Sequence, residues 1–214
     1  MLVFKKYIYE LIDSNMYIAT EGENALIIDP NINESAILYL REKNVKDILI
    51  ILTHEHYDHI SGVNWLREVF PCRVLCSNAC AENLKSITKN GSKFFSVLFL
   101  SEDKEKLEEA KLVKPVTCVS DIVFSESKKM EWNGHYIELY ETPGHSSGSI
   151  CIIVDHEYLF TGDSLLKELK VITKLPTGNK KKYLEYTLPF LSSLDKNLWV
   201  YPGHGEDGRL KEFL

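Results

Sequence analysis

The feature that most restricts this chain is His54-Glu55-His56-Tyr57-Asp58-His59, set directly after the apolar run Ile48-Leu49-Ile50-Ile51-Leu52-Thr53. Three imidazoles and acid side chains packed into so short a stretch, at the end of what reads as a buried strand, are costly to place without a cation to satisfy them. The stretch therefore reads as half of a metal site. Three later segments repeat the arrangement, each an apolar strand-like run that ends in glycine and then a ligand-type residue. Ile137-Glu138-Leu139-Tyr140 leads through Pro143-Gly144 to His145; Tyr158-Leu159-Phe160 leads through Gly162 to Asp163; Leu198-Trp199-Val200-Tyr201 leads through Pro202-Gly203 to His204. Strands that stop side by side bring the loops after them to one sheet edge, where ligands of α/β architectures bind. Glycine lets the backbone turn sharply there.

In this order, H-x-H-x-D-H at 54–59, Thr142-Pro143-Gly144-His145, Gly162-Asp163-Ser164 and Pro202-Gly203-His204-Gly205 resemble the metallo-β-lactamase-fold hydrolase superfamily, in particular its glyoxalase II-like (hydroxyacylglutathione hydrolase-like) branch. The resemblance runs from about Tyr9 to His204. It implies one metal held by His54, His56 and His145, a second by Asp58, His59 and His204, and Asp163 bridging them. It also implies that Asp29 lies near the metal loop and braces it. A count made from the residues alone agrees: five imidazoles and two carboxylates exceed a tetrahedral structural zinc and suit two catalytic metals that each keep a position open.

The activity implied is a metallo-hydrolase in which a hydroxide shared by two divalent metals, zinc foremost with iron or manganese as alternatives, attacks a carbonyl carbon. Asp58 is the expected catalytic residue, orienting that nucleophile. A thioester or ester-type bond of a small, anionic substrate is the expected target. The other readings are a mononuclear-iron persulfide dioxygenase, a lactonase or phosphodiesterase, and a metal-binding regulatory protein without useful turnover. Leu165-Leu166-Lys167-Glu168-Leu169-Lys170 stands where the glyoxalase II branch carries glycine and arginine, and the chain ends soon after His204, which together point away from glutathione thioesters. Lys167, Lys170, Lys174 and Lys180 to Lys182 lie between two ligand motifs, either as a receiver for an anionic group or as a solvated face.

The rest of the chain fits an α/β fold, a four-layer αββα sandwich forming a single domain over residues 1–214. Tyr7 to Ile12 and Met16 to Thr20 read as strands, and Ala25-Leu26-Ile27-Ile28-Asp29 as a third, ended by Pro30. Asn33 is placed to cap a helix with Ile37, Leu38 and Leu40 on its inner side. Val63, Leu66 and Phe70 recur at helical spacing after the histidine cluster. Asn133-Gly134 and Asp155-His156-Glu157 read as hairpin turns, with His135 and His156 as polar turn residues. Cys72, Cys76 and Cys80 start in a strand and are expected to point in unrelated directions as small buried fillers, as do Cys118 and Cys151. Phe94 to Leu100 is strongly apolar and precedes a charged helix over 101–111; it suits core packing, a substrate pocket or a homodimer interface. The net charge of -6 argues against a nucleic-acid surface. The expected setting is cytoplasmic, with no membrane span and no export signal.

Overall fold

The computed structural model describes residues 2–102 and 104–214. Two six-stranded sheets carry the fold. The first runs in chain order through β1 (Lys5–Tyr9), β2 (Ser14–Glu21), β3 (Asn24–Ile28), β4 (Asp47–Ile51), β5 (Cys72–Ser77) and β6 (Ile122–Phe124). Its first three strands are antiparallel and β3 to β6 are parallel. The second sheet holds β7 (Ser127–Trp132), β8 (His135–Glu141), β9 (Ile150–Val154), β10 (Tyr158–Gly162), β11 (Trp199–Pro202) and β12 (Gly208–Arg209). There β10 and β11 are parallel while the other pairs are antiparallel. The carboxyl ends of β8, β10 and β11 therefore lie on one edge.

Alternation along the strands builds the layers. In β4, Leu49 and Ile51 pack between the sheets against Leu139, Ile152 and Phe160. Ile48 and Ile50, on the other face, meet α1 (Glu34–Glu42), α3 (Val63–Arg67) and α4 (Asn78–Leu84) through Leu40, Leu66 and Leu84. With successive side chains on opposite faces and both faces covered, such a strand has to be apolar throughout. The outer face of the second sheet buries Cys151, Ile153 and Val200 against Leu191 of α7 (Leu188–Ser193). The result is the expected αββα sandwich.

Local expectations fare unevenly. Asn33 caps α1, accepting from the Ala36 amide at 3.3 Å. Ile37 and Leu40 are buried, but Leu38 is exposed because each helical residue turns about 100° and it falls outside their stripe. The strand expected over 7–12 stops at Tyr9, since Asp13 is left-handed (φ 57) and a turn brings the Ile12 and Asp13 amides to the Tyr9 carbonyl. The helix expected after His59 forms in two pieces, α2 (Tyr57–Ile60) and α3, with Val63, Leu66 and Phe70 all buried. Both hairpin turns form with consecutive positive φ angles, at Asn133 and Gly134 and at Asp155 and His156. His135 and His156 sit beside Asp155 and Glu138.

All five cysteines are free thiols. Cys76 and Cys80 do not point in unrelated directions. Ser77 ends β5 and caps α4 in one step, so the last strand thiol and the first-turn helical thiol lie beside each other. Phe94 to Leu100 lies in a 3₁₀-helix, Ser92–Phe99, and the next resolved helix is α5 (Lys104–Leu112); Asp103, inside the helix expected over 101–111, lies outside the described residues. Among the described residues no helix is long and apolar enough to cross a membrane.

Candidate metal centre

All seven candidate ligands gather where strands end. His54 and His56 occupy the loop after β4, and Asp58 and His59 lie in α2. His145 follows β8, Asp163 follows β10 directly, and His204 follows β11. The two sheets are tied at this edge: the Asn15 amide donates to the Gly203 carbonyl at 2.7 Å and the Tyr17 hydroxyl to the Pro202 carbonyl at 2.8 Å.

The ligands fall into two groups. Donor atoms of His54, His56 and His145 lie within 4.8 Å of one another, as do those of Asp58, His59 and His204. His56 Nδ1 is 2.8 Å from His145 Nε2. Asp58 Oδ2 is 3.1 Å from His59 Nε2 and 3.2 Å from His204 Nε2. Asp163 spans both groups, with Oδ1 3.4 Å from His59 Nε2 and Oδ2 3.5 Å from His145 Nε2 and 3.6 Å from His204 Nε2. Glycine at 203 is required by this crowding, because a Cβ there would meet the Asp163 carboxylate and lie 2.8 Å from His59 Cε1.

His54 Nε2, His59 Nε2 and Asp163 Oδ1 are buried without a hydrogen-bond partner. Orphaned donors and acceptors of this kind are expensive unless something else satisfies them. Here they converge with imidazole and carboxylate donors that suit zinc, iron or manganese, so the residues fit divalent cations.

The outward nitrogens are held from behind. Asp29 accepts from the Thr53 amide at 2.7 Å, from the Thr53 hydroxyl at 2.5 Å and from His59 Nδ1 at 3.0 Å. Thr53 Oγ1 is 3.0 Å from His54 Nδ1. His145 Nδ1 donates to the Ile172 carbonyl at 2.8 Å. Such partners set the tautomer and leave the opposite nitrogen for the metal. Asp29 is also within ligand distance of His54 and His59, but these bonds make it a brace, as the resemblance implied.

Glu55 is a buried carboxylate beside the centre that the sequence reading passed over. It is fully buried and accepts from Asn83 Nδ2 at 2.8 Å, Thr177 Oγ1 at 2.7 Å and Ser146 Oγ at 2.9 Å. It thereby joins the first histidine loop to α4, to the His145 loop and to the segment after Asp163. The available signal was its place between two ligands: in extended backbone, neighbours of inward side chains point the other way.

The chain's own charges differ between the two groups. Burial pushes His54 well below the usual imidazole range, aided by His59, His56 and His145, and burial also lowers His56 and His145. Burial opposes charge on His59 too, but Asp58, Asp163 and the bond to Asp29 outweigh it and raise that imidazole. His204 is raised in the same way against burial, by Asp163 and Asp58. Burial would raise Asp58 and Asp163, yet the neighbouring His59 and His204 hold both below the ordinary carboxylate value.

The centre forms the floor of a cavity of about 760 Å³, where His56, Asp58, His145, Asp163 and His204 are exposed to its interior. Of the lysines between the ligand motifs, Lys170 lines the cavity, whereas Lys167 pairs with Glu212 at 2.8 Å and Lys181 with Glu185 at 3.7 Å.

A family model described as the Metallo-beta-lactamase superfamily matches residues 10–204. The chain belongs to the metallo-β-lactamase superfamily. Within it, the chain is 31% identical over 202 residues to the probable metallo-hydrolase MJ0888 of Methanocaldococcus jannaschii, covering 91% of this chain and 89% of that one. It is 29% identical over 156 residues to a hydroxyacylglutathione hydrolase of Citrobacter koseri, covering 72% of this chain but 47% of that protein. The crystal structure of the BLEG-1 B3 metallo-β-lactamase superposes with a TM-score of 0.81 at 25% identity, covering 98% of this chain and 95% of that one.

Proposed function

We propose that this superfamily member is a metal-dependent hydrolase that cleaves the thioester or ester-type bond of a small molecule. The observation that carries the reading is the pair of donor groups joined by Asp163, with three orphaned buried atoms, at the floor of an open cavity. In this reading His54, His56 and His145 hold one divalent metal, Asp58, His59 and His204 the other, and Asp163 both. When bound, two such metals supply Lewis acidity and lower the pKa of a water towards neutrality. Zinc is the first choice, with iron and manganese taking the same donors. The similarity to a hydroxyacylglutathione hydrolase supports a thioester as the bond.

Asp58 faces the cavity as a carboxylate kept ionised by His59 and His204 despite its burial. It accepts a hydrogen bond from the attacking water and so aims the oxygen lone pair at the carbonyl carbon. Water adds at that carbon and the carbon–sulfur or carbon–oxygen bond breaks. The products are a carboxylic acid and a thiol or alcohol, the second proton of the water ending on the leaving group. Asp29 and Thr53 hold His59 and His54 in register, and Glu55 does the same for the His145 loop.

The test is elemental analysis of protein purified without chelators, followed by a thioester, lactone and phosphodiester screen on metal-loaded protein. About two equivalents of metal and release of acid from a thioester or ester support the reading. A ceiling of one iron with oxygen uptake on a persulfide would replace it with a dioxygenase.

A further inference from the structure

The cavity above the metal centre has walls unlike its floor. One wall is the 3₁₀-helix Ser92–Phe99. Phe95 and Phe99 join Leu11, Tyr57 and Ala110 in a buried cluster, of which Phe95 and Tyr57 also border the cavity. Phe94, Val97 and Leu98 line the cavity as well and are 45%, 53% and 46% exposed. An element that is apolar on both faces calls for a partner on each, and the fold supplies one. Across the opening, the segment after Asp163 contributes Leu166, Leu169, Ile172 and Leu175 to the same cavity, with Leu169 59% and Ile172 56% exposed. Single exposed apolar side chains are ordinary, but a contiguous set facing a catalytic floor marks a binding surface. Charge on these walls is sparse: Lys170 and Asp13 oppose each other in sign. Nothing there resembles the cluster of cations that two carboxylates of a glutathione carrier would need.

We infer that these walls take the acyl group of the substrate, an unbranched or aromatic apolar chain of medium length, for which a cavity of about 760 Å³ has room. The inference rests on the hydrolase reading and adds the substrate class. Water adds across the acyl bond, releasing a medium-chain carboxylic acid and the thiol. The acyl chain lies against Val97, Leu98 and Leu169, and its carbonyl meets the floor. Specificity then resides in the acyl half of the substrate rather than in the thiol carrier.

The experiment compares kcat/KM of metal-loaded enzyme for acetyl, butyryl, hexanoyl and octanoyl thioesters, on N-acetylcysteamine and on glutathione. A rise of about two- to fourfold for each added methylene is expected, the effect of burying one such group against a partly open wall. Leu98→Asp and Leu169→Asp, both at partly exposed positions, should cut the octanoyl-to-acetyl ratio at least tenfold. A flat profile with measurable turnover would overturn the acyl-chain inference and leave the hydrolase reading standing. So would a preference set by glutathione regardless of the acyl group. Should no thioester or ester turn over, the hydrolase reading fails, and calorimetry with octanoate and acetate decides the wall alone. Octanoate binding at least tenfold tighter, and weakened by Leu98→Asp, supports an apolar-chain site; equal binding overturns it. A micromolar dimer in sedimentation that dissociates in Leu98→Asp would also overturn it, by assigning the wall to a second copy of this chain.

Discussion

The floor of the cavity and its walls are held in opposite ways. In the floor, three of the five imidazoles have a dedicated partner behind them: Asp29 behind His59, Thr53 behind His54, the Ile172 carbonyl behind His145. Most of the side chains there are buried, and bonds from the ends of β3 and β4 and from the segment after Asp163 fix their geometry. In the walls, Val97, Leu98 and Leu169 have no such partners and stand half in solvent. Directional polar chemistry needs atoms placed to a fraction of an ångström, whereas an apolar surface works by area and tolerates looseness. On the proposed hydrolase reading, a fixed floor beneath apolar walls would keep the reaction constant while the substrate varies.

The largest effect should come from removing Asp58, the carboxylate proposed to aim the water. Asp58→Ala is expected to lower kcat about a thousandfold, within the range for a general-base group. Circular dichroism should show the fold retained; a variant with ordinary turnover would break the distinction between floor and walls. Chelation should also abolish turnover. Ligands that bind only the folded chain stabilise it by about 3 kcal/mol at a hundredfold excess over Kd. A thermal scan should therefore show a drop in Tm of roughly 5–10 °C for a chain of this size.

Glu55→Ala tests whether the floor depends on its buried latch. Asn83, Thr177 and Ser146 would lose their acceptor, at about 3 kcal/mol in a urea titration. Asp29→Asn should weaken metal affinity about 10- to 100-fold with a smaller change in stability, measured by chelator competition. By contrast, Leu98→Ser in the wall should shift stability by no more than about 0.5 kcal/mol.

A last effect, seen only at high pH, concerns the dry layers behind the floor. Burial pushes Cys118 up to about 11 and Cys151 up to about 12, above the ordinary thiol value of 9.0. A raised thiol value favours the neutral form in the fold. That contribution is whole below about pH 9 and is lost as pH rises through 11 and 12, so the urea midpoint should decline over that window. At pH 8, Val97→Cys should react at once with a thiol reagent while Cys118 and Cys151 stay protected. Equal reactivity of wall and core thiols would erase the contrast.

Local patterns carried the sandwich and the gathering of the candidate ligands. His145, Asp163 and His204 each follow a short apolar strand and a glycine, so every motif announces itself within about ten residues. The apolar strand-like runs and the two hairpin turns are local in the same sense. Three features were not legible. Leu38 was placed inside its helix because apolarity does not say which stripe faces the sheet. Cys76 and Cys80 meet because Ser77 turns strand into helix at one residue, a boundary that patterns place poorly. Glu55 was given no role, because its three partners are remote in sequence.

By itself, then, the sequence determined the strands, the chemistry of seven clustered side chains and the edge at which they meet, because strand ends and turn residues are encoded by neighbours. The tertiary structure alone decided that Glu55 reaches Thr177 across 122 positions of sequence and that two apolar segments line one cavity above the site. Those are distances between residues remote in sequence, set by how two sheets pack, and no local pattern contains them.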